Sequence, residues 1–321
     1  MERRCRVTGS FLGSIMKKAE KTPEYFLGKS REEHTGKGEK VMDRSPESLK
    51  EMVKGWIEDF VAKAGREGEN IWGKPLVGFA KEDHPYIQSL KQIIGPDHQL
   101  PKEVMPQAET VIAYYVPFLP WVAQSNQQLI CEEVGKPAFA LASAGWALAY
   151  ERTNAMMGQL NQVLIKRLKE RGFQGAVSPQ TAFFDREKLI SNWSHRHFAY
   201  AAGLGTFGLN HMLISRSGCC GRYGSLVTDL PVQGDPMIKE PWCLYKKNGS
   251  CGVCVSHCLS GALTRKGYDR TRCYAVLRKN AAVYDQFGSS YETEEENDPA
   301  LGGSEVCGKC VTGLPCSFTR P

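Results

Sequence analysis

The sequence predicts an α+β chain: a mixed body of helices and strands reaching to about residue 232, then a small cysteine-rich domain to residue 321. Helix-period apolar stretches alternate with short β-branched and aromatic runs as far as Pro231, which argues for mixed layers rather than an all-helical or all-β body. Beyond that point the character changes, because eight of the twelve cysteines fall between Cys243 and Cys316. A chain of 321 residues, 41% hydrophobic and 24% charged, buries a sizeable core in the manner of an ordinary globular protein.

Residues 1–44 are polar, charged and without a sustained period, and are expected to form an arm on the surface. A first helix is predicted from Ser45, an N-cap followed by Pro46 and by Glu47, whose charge suits the positive helix end. Leu49, Met52, Val53, Trp56, Ile57, Phe60 and Val61 give it one apolar face, and Gly65 is the expected stop. Leu76–Ala80 and Thr110–Val116 read as strands, the second ended by Pro117. The stretch between Pro117 and Pro137 reads as a loop, and Phe139–Arg171 as helix, interrupted at Gly145 or Gly158 and closed by Gly172. Ala176–Ser178 is a short strand and Ser194 caps a short helix ending at Gly203. Met212–Ser215 and Gly224–Thr228 complete the strands.

The formal net charge of +6 suits an acidic partner and is far from the loading of a dedicated nucleic-acid binder. The cysteines are too unevenly spread for a disulfide scaffold, and clustered thiols point instead to metal in a reducing compartment. Arg3-Arg4 raises the possibility of a twin-arginine signal, but the apolar run after it is short, glycine-broken and stopped by Lys17-Lys18. No apolar run reaches membrane-spanning length, so the expected location is the cytoplasm, with no membrane partner.

Gly203, Gly205 and Gly208 match G-x-G-x-x-G, and Asp229 follows 21 residues after Gly208. A dinucleotide fingerprint leaves a strand and enters a helix, whereas here a helix precedes and a strand follows. Two readings remain: three glycines letting backbone approach a large flat ligand or another segment, or a helix cap with a tight turn.

The cysteines carry the strongest signal. They run Cys243-x7-Cys251-x2-Cys254-x3-Cys258, then Cys273, then Cys307-x2-Cys310-x5-Cys316. Eight thiolates are the number that two [4Fe–4S] clusters need, and the last two gaps of the first run are those of bacterial two-cluster proteins, where the fourth cysteine serves the other cluster. That crossover assigns Cys243, Cys251, Cys254 and Cys316 to one cluster, and Cys258, Cys273, Cys307 and Cys310 to the other. Zinc held by paired C-x2-C units and disulfides are the competing readings. Cys5, Cys131, Cys219 and Cys220 read as ordinary thiols, and His257 as a loop histidine beside a ligand. The C-terminal module is therefore expected to deliver electrons.

The order Ser194-His-Arg-His-Phe-Ala-Tyr-Ala-Ala-Gly-Leu-Gly-Thr-Phe-Gly208, Gly224-Ser-Leu-Val-Thr-Asp-Leu-Pro231 and the eight cysteines resembles the epoxyqueuosine reductase-like iron–sulfur proteins, and more distantly the reductive dehalogenases. The resemblance covers about residues 75–317. It implies a nitroreductase-like α/β domain over residues 45–232 that holds cobalamin, and a ferredoxin-like domain with two [4Fe–4S] clusters over residues 233–321. It also implies that Gly203, Leu204, Gly205, Thr206, Phe207, Gly208, Asn210, Thr228 and Asp229 line the corrin.

The chain departs from that family twice. The family's proton-donating Asp lies in a D-x-x-P-V-x-E-K-like segment, where this chain reads Leu189-Ile-Ser-Asn-Trp-Ser-His195, with Asp185 nearby but out of register. The family's helical-repeat extension, which helps grip tRNA, is missing after Cys316, so tRNA is not the expected substrate. His195, His197 and Tyr200 are the candidate proton donors, since a short helix carries them to the mouth of the glycine loop; surface or supporting roles compete with that. The leading expectation is a cobalamin-dependent iron–sulfur reductase of a small or modified substrate, fed by a ferredoxin- or flavodoxin-type donor. An activator that reduces the corrinoid of a partner protein, or a ferredoxin-type carrier without cobalamin, are the alternatives.

Overall fold

The computed structural model describes residues 44–67, 70–127, 129–131, 138–181, 184–290 and 302–321. The expected N-terminal arm, and Cys5 with it, lies outside the described residues apart from Arg44. Helix α1 spans Pro46–Glu67 and begins where expected, Ser45 Oγ accepting from Ser48 N at 3.3 Å. Gly65 does not stop it, because one glycine costs only about 1 kcal/mol against a helix whose Leu49, Val53, Ile57 and Val61 are buried. Strand β1 (Leu76–Lys81) is followed by three one-turn helices, α2 (Pro85–Gln88), α3 (Leu90–Ile93) and α4 (Pro101–Val104), and then by β2 (Thr110–Pro117). The expected loop after Pro117 instead holds α5 (Pro120–Ser125) and β3 (Leu129–Cys131), which pairs with β4 (Phe139–Leu141). Pro120 at the first helical turn is the local cause of α5.

The region read as one helix from Phe139 therefore divides into β4 and α6 (Ala144–Glu170). Ser143 marks the division, its hydroxyl accepting from Trp146 N at 3.0 Å as an N-cap. Gly145 and Gly158 do not break α6, and Gly172, at φ +83°, closes it. Strand β5 (Gly175–Ala176) precedes α7 (His195–Ala201), after which come β6 (Gly205–Phe207), β7 (Leu213–Ser215) and β8 (Gly221–Thr228). The glycine stretch thus includes a strand, β6, paired antiparallel with β7 in a hairpin. Ser194 precedes α7 but does not cap it with its side chain.

The main sheet has the order β1-β2-β8-β5 with every neighbour antiparallel, so the body is α+β with no parallel βαβ unit in that sheet. Strand β2 is buried on both faces along its whole length. Its period-2 alternation sends Ile112, Tyr114 and Val116 into a core with α1 and α6, and Val111, Ala113 and Tyr115 into a second core with Trp193 and α7. Burying each large apolar side chain of these layers stabilises the fold by roughly 1.5–3 kcal/mol.

The C-terminal part carries α8 (Leu244–Asn248), α9 (Val253–Ser256) and α10 (Arg270–Ala281), joined by loops. Apolar packing crosses residue 232: Cys243, Tyr284, Val306 and Val311 share one core with Ile71, Phe118 and Trp146. Asn280, fully buried on α10, accepts from Ala142 N and donates to Ala140 O, which stitches α10 to β4. Asp235 pairs with Lys50 at 2.7 Å and accepts from Phe79 N, fixing the start of the connection. Among the described residues no helix is long and apolar enough to cross a membrane.

Candidate functional site

The eight clustered cysteines border two cavities, four to each. Cys243, Cys251, Cys254 and Cys316 line a small one of about 20 Å³. Cys258, Cys273, Cys307 and Cys310 line one side of a much larger one of about 650 Å³. Short local geometry presents the sulfurs. Cys243 precedes α8, Cys254 lies on α9 between Cys251 and Cys258, and Cys273 sits in the first turns of α10. Cys316 is reached only by the chain's return from Gly308 and Gly313, both at positive φ. Among the described residues no three His, Cys, Asp or Glu side chains close on a single-ion point.

Burial raises the pKa of four of these thiols. It pushes Cys254 and Cys307 up to about 11 and raises Cys273 and Cys310, with neighbouring thiolates adding to the effect. For Cys254 those neighbours are Cys316, Cys243 and Cys251, its companions at the small cavity. Cys316 shifts the other way, lowered by its hydrogen bond with Cys219. A bound metal would supply the positive charge that favours the thiolate form of the raised thiols. The donor sets fit metal in a second respect, because Leu263 N–H points at Cys258 Sγ from 3.3 Å, as outer hydrogen bonds to ligand sulfur do.

The large cavity continues away from its cysteines to a wall made by Ser194, Arg196 and His197 from the α7 segment, with Phe207 and Asn210 from the glycine stretch. Trp146, Tyr150 and Tyr274 add aromatic surface. Arg196, Arg222, Arg270 and Lys309 border it, and among the described residues that line it Glu305 alone brings a carboxylate, which pairs with Arg186 and accepts from Tyr274 Oη at 3.0 Å. Sequence reasoning passed over Lys309. It stands between Cys307 and Cys310 in the chain, its side chain is buried, and its ammonium donates to Asn126 O at 2.7 Å and Oδ1 at 3.0 Å and is pushed down to about 8 by burial. Asn126 in turn donates to Cys307 O at 2.8 Å, so a buried amide clamps the C-x2-C loop. A lysine between two cysteines was visible in the sequence, but its partner lies 183 residues away.

The candidate proton donors separate. His197 faces the large cavity, with Nδ1 2.7 Å from Ser194 Oγ, while Tyr200 packs edge-on against Tyr86 and Phe207 and borders neither cavity. His195 turns to the sheet, Nδ1 2.8 Å from Ser225 Oγ. Burial drives both imidazoles down to about 3, with the Arg196 charge adding to it, so both are neutral near pH 7. Asp185 accepts from Lys188 N and Glu187 N in an exposed turn.

The residues expected along a corrin also separate. Phe207 and Asn210 reach the large cavity, and Gly208 and Asn210 the small one. Gly203, at φ +69°, would bring a Cβ within 2.4 Å of Pro236 O, and a Cβ at Gly205 would lie 2.0 Å from Ile214 O. What these two glycines admit is the chain's own backbone. Leu204 packs in the core beside α7, Thr206 Oγ1 accepts from Trp242 N at 2.8 Å, and Thr228 Oγ1 donates to Gln174 O at 2.6 Å. Asp229 accepts from Gln174 N at 2.7 Å.

No family model matches the chain. Epoxyqueuosine reductase of Leadbetterella byssophila is 31% identical over 125 residues, which are 39% of this chain and 37% of that protein. The chain thus matches little more than a third of the length of that curated relative. Among solved structures, epoxyqueuosine reductase from Bacillus subtilis aligns with a TM-score of 0.46 at 18% identity, covering 84% of this chain and 67% of that one. An epoxyqueuosine reductase with an epoxyqueuosine-modified tRNA stem loop gives 0.47 at 18% identity, covering 83% and 66%. Over the 125 matched residues, this chain is similar in sequence to epoxyqueuosine reductase.

Proposed function

We propose that the chain is an iron–sulfur oxidoreductase that carries electrons through two [4Fe–4S] clusters to a ligand in the large cavity. The observation that supports this most is the four-and-four division of the cysteines between two adjoining cavities. Cys243, Cys251, Cys254 and Cys316 would hold one cluster, and Cys258, Cys273, Cys307 and Cys310 the other, which opens on the chamber. The sequence similarity to an epoxyqueuosine reductase supports the same class of chemistry.

A cobalamin fits the reading at the large cavity rather than at the glycine backbone, whose space the chain itself fills. At about 650 Å³ the chamber lies in the range of ligand sites, and its apolar and aromatic walls suit a large planar ring. Phe207, Asn210 and Trp146 would hold the corrin, which when bound supplies a low-valent cobalt for reduction. Around it Arg196, Arg222 and Arg270 favour an anionic group on the bound molecule, and Ser194 and the neutral His197 offer hydrogen bonds. The substrate is proposed to be a small or modified molecule. Electrons would arrive from an acidic low-potential donor at the outer side of the small cavity. There Lys246 and Lys247 of α8 are exposed, and Arg265 lies over the ring of Tyr245, a residue bordering that cavity.

Anaerobic reconstitution tests the reading. About eight irons per chain are expected, together with a visible charge-transfer band; a zinc-only preparation without that band would refute it. The division of ligands has its own signature. Cys251→Ala combined with Cys316→Ala should lose one cluster, whereas Cys258→Ala combined with Cys316→Ala should lose both. Added cobalamin should then bind stoichiometrically, and its failure to bind would leave a ferredoxin-type carrier. Turnover without a partner protein would distinguish the enzyme from an activator.

A further inference from the structure

A ninth sulfur stands at the boundary of the two cavities. Cys219, only 1% exposed, borders the large cavity, yet its Sγ lies 3.9 Å from Cys316 Sγ of the small one. We propose that Cys219 is a positioning residue for the small four-cysteine site: its thiol donates a hydrogen bond to Cys316 Sγ, orients that ligand and raises the reduction potential of the cluster it holds. The proposal rests on the iron–sulfur reading above.

The direction of the bond follows from the surroundings. Asn210 Nδ2 approaches Cys219 Sγ at 4.0 Å and donates to Cys310 O at 2.8 Å. An amide N–H can only donate, so Cys219 sulfur is the acceptor on that side and its own proton is free to point at Cys316. The neighbouring thiol is committed elsewhere, since Cys220 Sγ donates to Val311 O at 2.8 Å. The two adjacent cysteines, both read from the sequence as ordinary thiols, therefore do different things.

The backbone prevents the contact from opening. Cys219 N donates to Cys316 O at 2.9 Å and Cys220 N to Ser317 O at 2.9 Å, so the two segments run laced together. Gly218, at φ +78°, permits this approach, because a Cβ there would lie 2.2 Å from Ser317 O. A proton held against a ligand sulfur draws off electron density and favours the more negative, reduced cluster. Each cavity already has four cysteines, so Cys219 has no vacancy to fill as a ligand.

The test uses the reconstituted 321-residue chain, wild type against Cys219→Ala, Cys219→Val and Cys219→Ser, read by iron content and by potentiometric titration of the cluster EPR signals. All four are expected to retain the wild-type iron content. In the Ala and Val variants one cluster should titrate at lower potential while the other is unchanged, and Ser, which still donates, should lie nearer wild type. Unchanged potentials in both apolar variants would overturn the proposal, and loss of half the iron would overturn it by making Cys219 a ligand. The apolar variants differ in volume, so if one fails to fold the other still decides. Should wild-type protein take up no iron at all, the iron–sulfur reading itself fails, a result separate from any potential.

Discussion

His195 and His197 are two residues apart on α7 and point to different places, one to the sheet and one to the large cavity. Both share one electrostatic consequence. Each is pushed from 6.5 to about 3, chiefly by burial. A neutral imidazole is a poor general acid, so neither supplies an imidazolium proton at neutral pH. The linkage has a definite sign. Between pH 6.5 and 3 the unfolded chain binds protons that the folded chain refuses, so these groups add full stability above 6.5 and lose it as the pH falls. The loss should be roughly 1 kcal/mol per pH unit for each histidine. Denaturant unfolding of the reconstituted protein between pH 8 and about 5 should therefore show a shallower decline in His195→Gln than in wild type; equal slopes would contradict a buried neutral His195.

At the scale of elements, the glycine stretch shows how a motif can be legible while its partner is not. Its three glycines were evident, and that one segment approaches another closely was one of two readings available. The partner was not evident, because Pro236 and Ile214 meet Gly203 and Gly205 only after the hairpin and the following connection fold back. Glycines with identical letters consequently have opposite values. Gly205→Ala should lower stability by about 2–4 kcal/mol, since its Cβ would have to displace the Ile214 carbonyl. Gly158→Ala, in the interior of α6 with nothing within 4 Å, should raise it by about 0.5–1 kcal/mol through helix propensity. Chemical denaturation of the two variants side by side checks both signs.

On the scale of the whole molecule, the basic residues are arranged about the cysteine module in a way that net charge alone does not convey. Lys246 and Lys247 are exposed on α8, directly after Cys243, and Arg265 reaches the same rim through Tyr245. An acidic protein donor would be steered there, and steering of this kind weakens as salt shortens the Debye length from about 30 Å at 0.01 M to about 8 Å at 0.15 M. Lys246→Glu with Lys247→Glu should slow reduction by a reduced acidic ferredoxin at low salt by at least tenfold. Reduction by a small neutral reductant should be unchanged. Stopped-flow bleaching of the cluster absorbance measures both, and an equal loss with both donors would point to damage at the clusters instead.

What the sequence determined by itself was local. Cysteine spacing, the N-cap at Ser45, the apolar face of α1 and the alternation of β2 are short-range patterns, and backbone geometry converts each into structure without knowledge of the rest of the chain. Tertiary structure decided everything that depends on a distant neighbour. It sent His195 toward Ser225 and put Lys309 beside Asn126. It gave Gly203 and Gly205 the chain's own carbonyls for company, and it laid Cys219 against Cys316, 97 residues further on. The physical reason is that burial, charge state and close approach belong to pairs of segments, and those pairs come into existence only when the sheet, its covering helices and the returning C-terminal chain close on one another.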